Sequence, residues 1–386
     1  MKIVHICLGA FFPDNYSYQE NMLPKFHKKA GYDVEVIASL DTFDEYGNPS
    51  FYPDAKQYIN ENDVLVTRLA YKKPKRVSIL LRRFIGFSGA LEKAAPDILF
   101  IHNCQFIDIR VIVSYLKKHK NVVVYVDNHA DFSNSATNWL SKNILHGIIW
   151  CHCAKIIEPF TTKFYGVLPA RVDFLKNIYK LPANKCELLV MGADDDLVEA
   201  ASKPEVRQSI RKKYGISEDD FLVITGGKID QWKTQTLLLM EAVKNINDPK
   251  LKLLVFGSVT KDLMPKVKSF TDGDRIQYIG WIDSRDSYQY FAASDLAVFP
   301  GRHSVFWEQV AAQGIPMICK KWDGTTHVDL GGNVVFLTED SADEIKRSIE
   351  ALVNNDDLYM NMKMVAMDKG KKTFSYRDIS RRAIEE

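Results

Sequence analysis

The strongest constraint on the fold is an alternation that runs through the chain twice. Short apolar runs of strand length alternate with amphipathic stretches of helix length. That is the pattern of βαβ units on a parallel sheet with helices on both faces. In the first half the runs are Ile3–Leu8, Asp33–Ala38, Ile98–His102 and Val122–Val126, followed by Lys185–Val190. The next segment, Asp195–Asp220, is polar, contains Pro204 and carries a helical piece around Arg207–Tyr214, so it reads as a connection. The alternation then restarts with Phe221–Thr225, Leu251–Phe256, Ile276–Ile279, Leu296–Phe299 and Met317–Cys319. Helical stretches at Thr234–Val243, Ser287–Ala292 and Val305–Gln313 separate several of these runs.

Two restarts predict two Rossmann-like domains, over residues 1–195 and 196–367, with a last helix over 368–386. A chain of 386 residues is long enough for two full cores. Ligands of open α/β sheets bind outside the carboxyl ends of the strands, so the expected site is a cleft between the domains, lined by loops that follow strands. The 51 basic residues against 49 acidic ones give a net charge of +2, which argues against nucleic acid as a partner. Six scattered cysteines do not make a disulfide framework. Cys151-His152-Cys153 has no second Cys/His pair at zinc spacing and reads as helix thiols. The first apolar run is too short for a secretory signal, and no run reaches the roughly 20 residues that span a bilayer. The expected setting is the cytoplasm.

The loop after the first strand, Gly9 to Asn21, lacks the Gly-x-Gly-x-x-Gly dinucleotide fingerprint. It is rich in hydroxyl, amide and carboxylate groups, which suit a polyol or simply cap the next helix. Tyr18 and Glu20 are its candidates for binding an acceptor. The run Val122–Val126 ends in Asp127-Asn128-His129-Ala130-Asp131. A His flanked by carboxylates at a strand end can hydrogen-bond a sugar hydroxyl or move a proton, which makes His129 the catalytic candidate and Asp131 a further acceptor contact.

Phe221–Thr225 leads into Gly226-Gly227-Lys228-Ile229-Asp230-Gln231-Trp232-Lys233. Glycine lets a ligand approach the backbone, and two lysines five apart can converge on one anion, for which a diphosphate is the natural guest. The plain alternative is two solvated lysines. Strand Leu296–Phe299 leads into Pro300-Gly301-Arg302-His303-Ser304-Val305-Phe306-Trp307-Glu308. Ser304 is placed to cap the following helix, which would free the N–H groups of Val305 and Phe306 for a phosphate beside Arg302 and His303. Glu308, one turn in, could accept both hydroxyls of a ribose, although an acid in a first turn also suits the helix dipole.

Taken together these residues resemble the GT-B glycosyltransferases, in particular retaining glycosyltransferase family 4 (glycosyl transferases group 1). The resemblance spans nearly the whole chain. The family's Gly-Arg-x4-Lys element is similar to Gly227-Lys228-Ile229-Asp230-Gln231-Trp232-Lys233, with Lys in place of Arg. Its strand-end His resembles His129, its Gly-x-Asp turn resembles Gly192-Ala193-Asp194, and its Gly-x-Pro-x-Ile segment resembles Gly314-Ile315-Pro316-Met317-Ile318. The resemblance implies a GT-B fold, two Rossmann-like domains with parallel sheets facing an interdomain cleft. The acceptor would lie on the N-terminal side and the nucleotide-sugar donor on the C-terminal side, and the last helix would cross back to the first domain. It further implies that Lys228 and Lys233 hold the donor diphosphate, that His129 contacts the donor sugar, and that the loop Gly280-Trp281-Ile282-Asp283 holds the base.

One departure stands out. The family carries two glutamates separated by seven residues, but Pro300 and Gly301 stand eight before Glu308 and Gln309. The first glutamate is missing, and either Glu308 or Gln309 fills the second position. Glu308 is favoured because a carboxylate is the better double acceptor. No Asp-x-Asp stands where a metal is required, so transfer without metal or other cofactor is expected. The stretch 72–87 carries Lys72, Lys73, Lys75, Arg76, Arg82 and Arg83 among apolar residues, as a basic amphipathic helix on an anionic membrane surface would. The expected partners are a nucleoside-diphosphate sugar, with UDP as first choice, and a glycan or lipid-linked acceptor in surface polysaccharide synthesis. The alternatives are a nucleotide-sugar epimerase or hydrolase on the same fold, and a subunit that binds donor without catalysis.

Overall fold

The computed structural model describes residues 1–44 and 48–385. They form two compact units, one of Met1–Met191 with the final segment from Tyr376, the other of Gly192–Ser375. The border falls just before the expected one because Asp194 belongs to the helix it caps. Its side chain accepts the N–H of Asp196 at the start of helix Asp195–Ala201. The acidic run 194–196 is thereby a helix start. The expected last helix is broken into the pieces Ala366–Gly370, Lys371–Thr373 and Tyr376–Arg382, of which only the last belongs to the first unit. Glu386, where that expected helix ends, lies outside the described residues.

The first unit contains β1 (Lys2–Cys7), β2 (Asp33–Ala38), β3 (Asp41–Phe43), β4 (Pro49–Phe51), β5 (Gln57–Ile59), β6 (Leu65–Arg68), β7 (Ile98–His102), β8 (Val123–Asn128), β9 (Lys163–Gly166) and β10 (Cys186–Leu188). Eight of them form one sheet in the order β10-β9-β8-β7-β1-β2-β6-β5, antiparallel at the β5–β6 edge and otherwise parallel. β3 and β4 pair as a separate antiparallel hairpin. Strand periodicity sorts the side chains of the central strands into two sets. Val4, Ile6, Leu99, Ile101, Val124 and Val126 join one apolar core. The alternate positions carry His5, Phe100, His102, Tyr125 and Asp127, and the register sets His5 beside Phe100 and His102 beside Asp127. Over this second face run helix Gln19–Lys29 and the C-terminal helix. Tyr125 donates to the Ile384 carbonyl at 3.1 Å, and Phe26 stacks on Tyr376 with ring centroids 6.4 Å apart.

The second unit is a parallel sheet of β11 (Phe221–Gly226), β12 (Leu251–Phe256), β13 (Ile276–Tyr278), β14 (Leu296–Phe299), β15 (Met317–Lys320) and β16 (Val334–Leu337). Its order is β13-β12-β11-β14-β15-β16. β16, absent from the sequence reading, pairs Met317–Lys320 with Val334–Leu337 at the sheet edge. In each sheet the order reverses beside the first strand, between β1 and β7 and between β11 and β14. Crevices for ligands open at such points.

The basic stretch 72–87 is not one helix. Lys75–Leu81 ends at Arg82, whose φ of 53° breaks it, and a second helix starts at Phe87. Arg82 turns inward and donates to the carbonyls of Gly9 and Gln105. No helix among the described residues is long and apolar enough to cross a membrane. The six cysteines are free and buried.

Candidate functional site

In the first unit the loops after β1, β7 and β8 enclose a depression of about 340 Å³. Gly9 makes this possible, because a Cβ there would lie 2.4 Å from the carbonyl oxygen of Asn103 and force the first two loops apart. Tyr18, Glu20, Arg82, Asn103, Gln105 and His129 line the depression. Three of the sequence candidates, Tyr18, Glu20 and His129, therefore come together. Asp131 does not join them. Its Oδ1 accepts the N–H and hydroxyl of Ser133 at 2.6 and 2.5 Å, and its Oδ2 accepts Nε of Arg171 at 3.1 Å. Its carboxylate thereby shapes the loop.

His129 Nε2 lies 3.3 Å from Asp127 Oδ2 and 3.7 Å from Glu20 Oε1, without a well-directed hydrogen bond to either. Burial lowers its pKa, but the carboxylates of Glu20 and Asp127 more than offset that and raise it overall. Asp127 is held in place by the Asn103 N–H on Oδ1 and by His102 Nδ1, 2.6 Å from Oδ2. Burial would raise its carboxyl, yet His102 and His129 hold it well below the usual range. Behind His102 stand His5 and His27, both buried. The sequence reading missed these three histidines and placed Arg82 in the basic stretch 72–87. For His5 and His102 the signal was there: each occupies an alternate position of a strand whose other residues are apolar.

In the second unit the loops after β11, β12 and β13 meet backbone to backbone. A Cβ on Gly257 would lie 1.9 Å from the Gly227 oxygen, and the Gly257 N–H donates to the Gly280 carbonyl at 2.8 Å. Gly227 has a φ of +135°, and a Cβ there would meet nothing within 4 Å, so its front is open. Lys228 is exposed, 3.4 Å from Asp230 Oδ2. Lys233 stands just ahead of helix Gln235–Lys244. Trp281 is exposed, and Ile282 next to it is partly so. Gln235, also missed, has a buried Oε1 without a partner, 3.4 Å from where a Cβ on Gly301 would sit.

Ser304 is not the helix cap. Helix Phe306–Ala312 starts one residue later, with Val305 at the cap position and no side-chain cap, and Ser304 contributes its carbonyl to the Trp307 N–H at 3.0 Å. Glu308 is fully buried. Its Oε1 accepts from His303 Nε2 at 2.9 Å and His327 Nε2 at 2.7 Å, while Oε2 has no partner. Burial would raise its carboxyl, but the two histidines hold it well below the usual range. Gln309 is buried too, with Oε1 unpartnered.

Two groups bring metal-type ligand atoms within 4.8 Å of one another: His102 with Asp127 and His129, and His303 with Glu308 and His327. In the first, both nitrogens of His102 are engaged, by Asp127 and His5, so the group is part of a hydrogen-bonded line. In the second, one carboxylate oxygen already bridges both rings.

Residues 206–368 match the family model described as glycosyl transferases group 1. No curated protein sequence matches significantly. Among solved structures, Anabaena HepE in complex with UDP is similar with a TM-score of 0.69 at 14% identity, over 99% of this chain and 98% of that one. A glycosyltransferase from Rickettsia africae gives 0.67 at 15% identity, over 99% and 96%. A UDP-N-acetylglucosamine 2-epimerase from Listeria monocytogenes, itself so described only as a candidate, gives 0.63 at 11% identity, over 99% and 94%. At these identities the structural likenesses establish the fold, which is GT-B.

Proposed function

We propose that the chain is a glycosyltransferase on its GT-B fold and that it moves a sugar from a UDP-sugar to a glycan or lipid-linked glycan, with retention and without metal. The observation that carries this reading is the place of the family match, which spans Gly227, Lys228, Lys233 and the 301–308 turn. In this reading Lys228 and Lys233 neutralise the diphosphate as it departs, where fixed cations lower the barrier most. The open front of Gly227 admits it. Trp281 and Ile282 hold the base. UDP is the proposed carrier because HepE binds it in the same fold.

His129 contacts the sugar at the reaction centre, with Tyr18 and Glu20 toward the acceptor. The departing phosphate takes the acceptor proton, so no enzyme nucleophile is required. Glu308 reads the ribose through Oε2. A buried carboxylate oxygen without a donor is costly, and a ribose hydroxyl would relieve it. His303, Ser304 and Val305 complete the donor side.

The protein works at the inner face of the cell membrane, in surface polysaccharide synthesis. Exposed Val77, Leu80 and Ile85 beside exposed Lys75, Arg76 and Arg83 support a peripheral contact. Titration calorimetry with UDP, GDP, ADP and CMP tests the donor reading. Selective binding of UDP supports it, and binding of none ends it. The epimerase alternative draws on the Listeria likeness and predicts donor turnover without acceptor.

A further inference from the structure

Three imidazoles run in line through the first unit, from a peptide carbonyl to a carboxylate. His27 Nε2 is 2.8 Å from the carbonyl oxygen of Ser380. His27 Nδ1 is 3.0 Å from His5 Nε2, and His5 Nδ1 is 3.0 Å from His102 Nε2. His102 Nδ1 is 2.6 Å from Asp127 Oδ2. All three rings and the carboxylate are buried.

Each of these four contacts needs one proton between its atoms. The two ends have none to give, because a peptide carbonyl and a carboxylate only accept. All four protons must therefore sit on three rings, and three neutral rings carry only three. We propose that His27, His5 and His102 are positioning residues that form a proton-holding relay: the line keeps one imidazolium against Asp127, sets the charge that His129 faces in the pocket, and takes its extra proton because the C-terminal helix presents the Ser380 carbonyl. Without that carbonyl three contacts would remain, and three neutral rings would satisfy them. Moving one proton across each N···N contact carries the imidazolium from His102 through His5 to His27 while every contact stays made.

The surroundings agree with this count. Burial, then the neighbouring rings, lowers the pKa of His5 well below its ordinary value. Burial takes His27 down to about 4, against the opposing pull of the Ser380 carbonyl. Both rings are thereby disfavoured as the charged member of the line. The fourth proton could only otherwise rest on Asp127, whose carboxyl is held well below the usual range. The groups facing this end are Glu20, Asp127 and Arg171 around His129, and Cys7, whose thiol burial keeps protonated. Phe100 packs on His5 and Tyr32 on His27. The consequence for transfer rests on His129 acting in the pocket, but the proton count does not.

The test is imidazole nitrogen NMR on the full chain labelled with ¹⁵N-histidine, assigned with His5→Gln and His27→Gln. One imidazolium among His5, His27 and His102 is expected at pH 8. In His27→Gln the amide N–H still donates to Ser380 and its oxygen still accepts from His5, so the imidazolium persists. In His27→Phe only two contacts remain, two neutral rings suffice, and the imidazolium is lost. Asp127 then faces His129 without its cationic partner, and the His129 pKa rises by about one unit. Three neutral rings in the unaltered protein would overturn the proposal, as would identical charge in the two His27 variants. Should His27→Phe not fold, the unaltered protein and His27→Gln still decide the count.

Discussion

His102 and His129 lean on the same oxygen of Asp127, at 2.6 and 3.3 Å, one from inside the sheet and one from the pocket. That shared oxygen ties the electrostatics of the pocket histidine to groups that never meet solvent. Asp127→Asn should therefore lower the pKa of His129, since Asp127 is one of the two carboxylates that raise it. It should also cost about 3 kcal/mol of stability, because a buried charged partner is left uncompensated. Histidine NMR titration and urea unfolding check the two effects. An unchanged His129 titration would separate the residues electrostatically.

Acid should destabilise the first unit before it protonates any paired carboxylate. His27 is neutral in the fold, with its pKa brought down to about 4 by burial. Between that value and about 6.5 the unfolded chain binds the extra proton, so the contribution of this ring is full above about pH 6.5 and falls toward pH 4. The loss from this one ring is about 3 kcal/mol. His146, also brought down to about 4 by burial, adds in the same window. Urea midpoints measured from pH 7.5 to 4.5 should slope downward with acid, and less steeply in His27→Gln. An equal slope in that variant would remove His27 from the account.

Lys233→Ala should weaken UDP binding by about 10- to 100-fold, the worth of one charge-assisted hydrogen bond, and leave uridine binding nearly unchanged. Calorimetry with the two ligands reads the difference. Equal losses would mean that Lys233 does not hold the diphosphate.

Glu308→Gln should lower stability, since two half-buried histidines lose the charge they share. If Oε2 reads the ribose, the variant should also bind UDP more weakly, and removing the ribose 2′-hydroxyl should then cost little more. Losses that simply add would leave Glu308 as a structural centre for His303 and His327.

Replacing Lys75, Arg76 and Arg83 with Gln should release the protein from vesicles containing anionic lipid. Arg82 is spared in this variant because it holds the Gly9 and Gln105 carbonyls. Unchanged co-sedimentation would remove the membrane contact.

The two parallel sheets were legible because buried strands such as Ile98–His102 and Leu251–Phe256 are continuous apolar runs. β16 was missed because its four residues, Val334–Leu337, sit between glycines and a helix at the sheet edge, with little sequence to mark them. The place of His129 at a strand end was legible. Its supporting histidines were not, because His27, His5 and His102 meet only across 22 and 97 residues of chain, and the line ends on a carbonyl 353 residues from His27. Ser304 looked like a cap by residue type, but the helix begins after Val305 and leaves its side chain outside the capping geometry. Asp131 looked free in sequence because nothing local shows that Arg171 would claim it.

The most direct test of the transferase reading is turnover of labelled UDP-sugars by the purified chain, with and without a membrane extract as a source of acceptors, beside His129→Ala. The account predicts that label leaves the donor only when acceptor is present, and that the variant binds UDP but transfers nothing. Release of UDP, or appearance of an epimeric sugar, at the same rate without acceptor would contradict it.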